Sequence, residues 1–168
     1  FDDGTTEATV AVNMYEDVAQ SALVNTRWRF ATNQKVLNQL SAEPTGRYDL
    51  AYQLPSDLLM LHAVTVNDNL IDYQMYGDKV FADTSTQDVV IADYSFRANE
   101  ETWPSYFTLA VEFSLAIIFA TSIARDANLA SLMTARAEAT TAKARTMDSQ
   151  QQTTRKLVTS RFLTARRS

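Results

Sequence analysis

The sequence predicts an α+β fold: an antiparallel helix bundle with an inserted antiparallel β-meander and an extended C-terminal tail. Apolar residues recur at helical spacing over about 5–24, 105–124 and 127–149. Between the first and second of these, about 28–95 alternates in short segments broken by turn residues. The end of the chain, from Gln151, holds five bases, no acid and several apolar side chains, a composition found nowhere before it. Residues 1–150 are therefore expected to form one domain and 151–168 a separate tail.

The first helix is expected from Thr5 to Val24. Ala11, Met14, Tyr15, Val18 and Ala22 fall on one face, Thr5 or Thr6 serves as cap, and Glu7 suits the positive end of the helix dipole. Trp28, Phe30 and Thr32 alternate with polar or small neighbours, which predicts a strand, and Glu43-Pro44-Thr45-Gly46 predicts a turn. Leu50, Tyr52 and Leu54 make another strand that Pro55 ends. Leu59–Val66, Leu70–Tyr76, Lys79–Ala82 and Val89–Tyr94 then read as consecutive strands, with turn chemistry at Asn67-Asp68-Asn69 and Gly77-Asp78. Asp68 and Asp72 lack the alternating ligands, glycine and terminal glutamate of a calcium loop, so they are expected to be solvated turn acids.

Trp103-Pro104 opens the next helix, with proline in the first turn, where a missing N–H costs nothing. From Ser105 to Ala124 this helix is apolar nearly all round, which predicts a central position. Thr108, Glu112, Ser114, Thr121 and Ser122 argue for a buried helix and against a membrane span. After a break at Arg125-Asp126, a last helix runs from Ala127 to Ser149. Its stripe is Leu129, Met133, Ala137, Thr140, Ala144 and Met147, mostly small residues that suit either the subunit core or a contact between copies.

Composition narrows the chemistry. There is no cysteine, so disulfides, thiol nucleophiles and cysteine-bound metals are excluded. The single histidine, His62, lies on a predicted strand with no nucleophile motif beside it and is expected to make a structural hydrogen bond. Three glycines cannot build a glycine-rich phosphate loop. Carboxylate pairs exist in any acid-rich chain, and no spacing here favours one. No catalytic residue, cofactor or metal site is predicted, and the chain is not expected to be an enzyme. Phe1-Asp2-Asp3 is acidic with no apolar stretch after it, so no signal peptide is expected.

Charge is unevenly spread. Residues 1–100 hold fifteen acids and six bases, residues 101–150 hold five and four, and residues 151–168 hold no acid against Arg155, Lys156, Arg161, Arg166 and Arg167. A basic end of this kind fits a solubilising terminus, a salt-sensitive DNA arm or a docking segment. Leu157, Val158, Phe162 and Leu163 are surplus to a DNA arm and make sense in a groove on another protein.

Several segments resemble the head–tail adaptor proteins of tailed phages, the tail tubular protein A-like family. Tyr48-Asp-Leu-Ala-Tyr-Gln-Leu-Pro-Ser-Asp57 resembles their aromatic–Leu-Pro-x-Asp junction. Asn25-Thr-Arg-Trp-Arg-Phe-Ala31 resembles the segment that leaves their first long helix, and Tyr76-Gly-Asp-Lys-Val-Phe81 their central hairpin. Ala92-Asp-Tyr94 followed by Trp103-Pro104 resembles their aspartate–tyrosine, then helix, junction. Ser160-Arg-Phe-Leu-Thr-Ala-Arg166 resembles the Arg-ended tail that many of them carry. The resemblance runs from about Met14 to Arg167, in order. It starts after an additional short helix and loop that family members usually carry first.

The resemblance implies a non-enzymatic virion component, assembled from the host cytoplasm into the neck between portal vertex and tail. Such proteins form a ring, typically of twelve copies, that docks on the portal protein, extends the DNA channel and gives the next tail or nozzle protein a platform. Genomic DNA would pass through the lumen without specific binding, and no membrane is involved. In that setting Leu157, Phe162 and Leu163 are the expected portal anchors, Val158 belongs to the same docking tail, and Arg155, Lys156, Arg161, Arg166 and Arg167 are the charge partners. A different neck component (a stopper or tail-terminator) and a small DNA-binding protein with a basic C-terminal arm are the alternatives.

Overall fold

In the computed structural model, residues 5–41 and 46–151 are described. They form three helices and two antiparallel sheets. The helices are α1 (Thr6–Val24), α2 (Ser105–Ser122) and α3 (Ala127–Ser149). The strands are β1 (Thr32–Val36), β2 (Asn38–Gln39), β3 (Leu50–Gln53), β4 (Leu58–Val66), β5 (Asn69–Leu70), β6 (Tyr73–Tyr76), β7 (Lys79–Ala82) and β8 (Val90–Phe96). The tail residues named above, and Glu43, Pro44 and Thr45 of the expected turn, lie outside the described residues.

The helix boundaries follow local chemistry. Thr5 caps α1: its side-chain oxygen accepts from Ala8 N at 3.2 Å. Pro104 is the cap of α2 rather than a first-turn residue, in extended conformation before Ser105. α2 ends at Ser122, two residues short of the expected Ala124. Arg125 then takes a left-handed φ of 50° to reverse the chain, and Asp126 caps α3 by accepting from Asn128 N and Leu129 N at 2.9 and 3.0 Å. This short reversal makes α2 and α3 an antiparallel hairpin, and α1 packs on α2.

The β part differs from a single meander. One sheet has the order β1-β8-β4-β5 and the other β2-β3-β7-β6. Two local hairpins match the expected turns. Asn67 and Asp68, with φ of 49° and 63°, join β4 to β5 in the mirror-turn geometry that suits strand twist. Gly77, at φ 59°, joins β6 to β7. The expected strand Leu70–Tyr76 is broken at Ile71-Asp72: Leu70 pairs in the first sheet, whereas Tyr73–Tyr76 pair in the second. Trp28 and Phe30 are not strand residues either. Arg29–Ala31 is a turn of 3-10 helix, and β1 starts only at Thr32.

Two apolar clusters result. Tyr52 and Val80 of one sheet meet Val64, Val90 and Ala92 of the other. The second cluster joins Leu23 of α1, Trp28, Ala31, Ala98, Phe107 and Val111 of α2, and Ala144 of α3, with Leu59 and Phe96 of the first sheet against it. β4 and β8 thus serve both clusters and fix the helices to the sheets. The buried stripe of α1 is Ala8, Ala11, Ala19 and Leu23, with Val18 and Ala22 packed beside it, while Met14 faces outward. In α3 Ala137 and Ala144 are core as expected, but Leu129 at the start of the expected stripe is exposed, and Asp148, not Met147, completes the buried one.

Candidate functional site

Gln151 is the last described residue before the basic segment, so the surface around it is the first candidate. Gln151 lies against α2, its amide donating to the Tyr106 hydroxyl at 3.4 Å. Beside it, α2 and α3 enclose an open groove of about 770 Å³. Leu109 and Glu112 form its α2 wall, with Trp103 just before the helix, and Thr140, Lys143 and Met147 form its α3 wall. Leu109 and Met147 are 44 % and 53 % exposed there, and with Ser105 and Thr108 also lining it the groove is mixed, its apolar patches set among hydroxyls and one charge on each wall.

The foot of the groove is held by a buried carboxylate that sequence reasoning missed. Asp148 is 4 % exposed. It accepts from the Tyr106 hydroxyl at 3.0 Å and from Arg29 N at 3.1 Å, and its own carbonyl accepts from Arg29 Nε at 3.0 Å. One residue at the end of α3 therefore fixes α2 and the segment entering β1. Burial, with the Asp148 carboxylate next to it, pushes the Tyr106 hydroxyl up to about 12. The only local signal was an acid one step off an apolar stripe, which a solvated helix end carries just as often.

Near the same end of the helical layer, Arg97 joins three elements. It donates to both oxygens of Glu16 on α1, at 2.8 and 2.9 Å, and to Glu100 at 2.6 Å, and it lies 5.4 Å over the Trp103 ring. Hydrogen bonds from Arg97 and then from Gln20 hold the Glu16 carboxyl at about 2, below its ordinary 4.5. A depressed carboxyl stabilises the fold above its ordinary value and loses that contribution as pH falls through the depressed one. The pair is half-exposed, so its worth is about 0.5–1 kcal/mol. Urea titrations between pH of about 4.5 and about 2 should therefore show falling stability, and Glu16→Gln should flatten that part of the slope.

His62 is placed as expected, in a structural hydrogen bond: its Nε2 lies 2.8 Å from Ser95 Oγ. Burial, then the nearby Arg27, lower its pKa, while Asp93 opposes them. Asp93 is paired with Arg27 at 3.5 Å, and its Oδ1 has no partner among the described residues. Serine, histidine and aspartate thus cluster on one sheet face. Ser95 has no exposed surface, so its hydroxyl cannot meet a substrate, and the set acts as a cross-strand link between β4 and β8. Among the described residues no group of three or more His, Cys, Asp or Glu is placed to hold a metal.

Several of the segments quoted in the sequence reading come together in the fold. Asp57, which ends the Leu54-Pro55-Ser56-Asp57 link between the sheets, accepts from the Tyr94 hydroxyl at 3.3 Å, and its carbonyl accepts from Arg97 N at 3.2 Å. Trp28 packs edge-on against Phe107 at 5.2 Å, and Trp103 packs on the same ring at 4.9 Å. No family model matches the chain, and no curated protein matches it.

Proposed function

We propose that the chain is a structural head–tail adaptor of a tailed bacteriophage, without catalytic activity. Copies form a ring in the virion neck, dock on the portal protein, extend the DNA channel and carry the next tail protein. In this proposal the three helices act as a bundle, the β-rich part is its insert, and residues 151–168 are an extended docking tail. Leu157, Phe162 and Leu163 supply anchors, with Val158 among them in the tail, and Arg155, Lys156, Arg161, Arg166 and Arg167 supply charge.

The observation that carries the proposal is the meeting of the family-like motifs. Asp57 meets Tyr94 within the β part, and Trp28 and Trp103 both pack on Phe107 where the helices begin and end, so the segments that carry the resemblance hold residues in packed contacts. The tail adds support, since it is the one basic segment of an acidic chain and leaves from the helical end of the domain. Ordering an extended tail costs about 1–2 kcal/mol per residue of backbone entropy, so one tail binds weakly. Many tails on a ring bind with avidity, which makes docking depend on a matching portal ring.

Removing residues 152–168 should leave thermal stability unchanged and abolish retention on immobilised portal rings. Leu157→Ala with Phe162→Ala and Leu163→Ala should weaken retention at least tenfold. Undiminished retention of the truncated chain would show that the tail is not the docking element.

A further inference from the structure

The two sides of the α2–α3 hairpin differ. On one side, Phe107, Ala110 and Ser114 of α2 and Thr141 of α3 face α1, with Asp17 at the rim of the cleft between them. On the other, Leu109 and Glu112 of α2 and Lys143 and Met147 of α3 line the groove described above, and no described element covers it. On α3 Arg136 stands one heptad before Lys143, so two exposed bases share the ridge beside the groove. Leu132, 49 % exposed, extends its apolar surface along the hairpin.

α1 carries the opposite character on its outward face. Its charges are Glu7, Glu16 and Asp17, with no base. Arg97 engages Glu16, which leaves Glu7 and Asp17 exposed, Asp17 where the outward face of α1 meets the rim of the cleft. Met14, Asp17 and Val24 follow one another at steps of three and seven, so they form a single exposed stripe, apolar at both ends and acidic between.

We propose that the open groove of one copy receives the outward face of α1 of a second copy, with Asp17 paired to Lys143 or Arg136 and Met14 and Val24 laid against Leu109 and Met147. An amphipathic helix in a partly apolar groove is a common recognition mode, and the charges on the two surfaces are complementary. Glu112, on the α2 wall, restricts the register because it repels Asp17. The two surfaces lie on opposite sides of one layer, so each contact leaves a free groove on one copy and a free α1 on the other. Such contacts are heterologous: they propagate and close into a ring when the rotation permits. The proposal deepens the adaptor reading, and rests on it only for closure of the ring.

The absence of cysteine allows a direct test. Asp17→Cys and Lys143→Cys place one thiol on each surface, at exposed positions that the fold does not need. With a short bismaleimide, the double variant should give a ladder of dimer, trimer and higher bands. The two single variants mixed together should stop at a dimer, and each alone should give at least tenfold less product. A double variant that yields no more than a control pairing Asp17→Cys with Gln74→Cys, on the sheet, overturns the proposal. A ladder that forms only after removal of residues 152–168 also overturns it, because the groove then belongs to the chain's own tail. Imaging the same sample with portal rings separates the two claims. Stacked rings without a ladder sink only the groove contact, whereas a ladder without stacking sinks only the portal assignment.

Discussion

Trp28→Ala should destabilise the domain by about 3–5 kcal/mol, the range for removing a large aromatic from a packed core. Trp28 is 1 % exposed and sits where α1 ends, against Phe107 of α2 and near Phe30 and Tyr106. Its indole N–H donates to Ala22 O at 2.8 Å, so the ring also terminates α1 in a fixed direction. Truncation leaves a cavity between all the elements that meet there, and none of them can collapse into it without losing other contacts. Trp28→Phe should cost less, since it keeps most of the volume and forfeits the hydrogen bond. Urea denaturation of the three chains gives the ranking directly. A loss below about 1 kcal/mol for Trp28→Ala would mean that the site relaxes and is not the joint between helices and sheets.

The second large effect is expected at Asp148. Asp148→Ala removes the carboxylate that accepts from the Tyr106 hydroxyl and from Arg29 N in a half-buried position. Each donor that loses this acceptor costs about 1–3 kcal/mol, so the sum should approach the loss at Trp28. Asp148→Asn keeps one acceptor oxygen and should cost about half as much. The two variants also differ from wild type in a titration. The Tyr106 hydroxyl stands at about 12 because of burial first and Asp148 second. Its raised value stabilises the fold below its ordinary 10, and that contribution disappears as pH rises towards about 12. In Asp148→Asn the ultraviolet titration of Tyr106 should move down only part of the way, because burial persists. No movement at all would show that the carboxylate does not act on it.

How far the sequence disclosed the fold depends on the range of the interactions. All three helices were legible because caps and periodic stripes are local: Thr5 before α1, Pro104 before α2 and Asp126 before α3 each punctuate their helix within a turn. Turns with special backbone, at Asn67-Asp68 and Gly77, were legible for the same reason. The strand Leu70–Tyr76 was misjudged because its change of sheet at Ile71-Asp72 depends on partners elsewhere in the chain, Val64 to Thr65 and Val80 to Ala82. Trp28 and Phe30 alternate as strand residues do, yet a 3-10 turn also lets both rings reach Phe107.

The same distinction governs the sites. His62 was placed correctly as a structural histidine, although Ser95, its partner from another strand, could not be named from spacing. Asp148 was missed because only its tertiary donors, 119 and 42 residues away, explain a buried acid there. The one-residue shift of the α3 stripe from Met147 to Asp148 has the same origin, and it leaves Met147 on the groove wall. The groove itself was beyond the sequence, since it is defined by which side of the α2–α3 hairpin α1 covers.

The most direct measurement is negative-stain imaging of the purified chain mixed with isolated portal rings. A second ring stacked coaxially on the portal, present with the full chain and lost without residues 152–168, is the predicted result. Bare portal rings, with the chain held instead on DNA in a salt-dependent manner, would contradict it and turn the basic tail into a nucleic-acid arm.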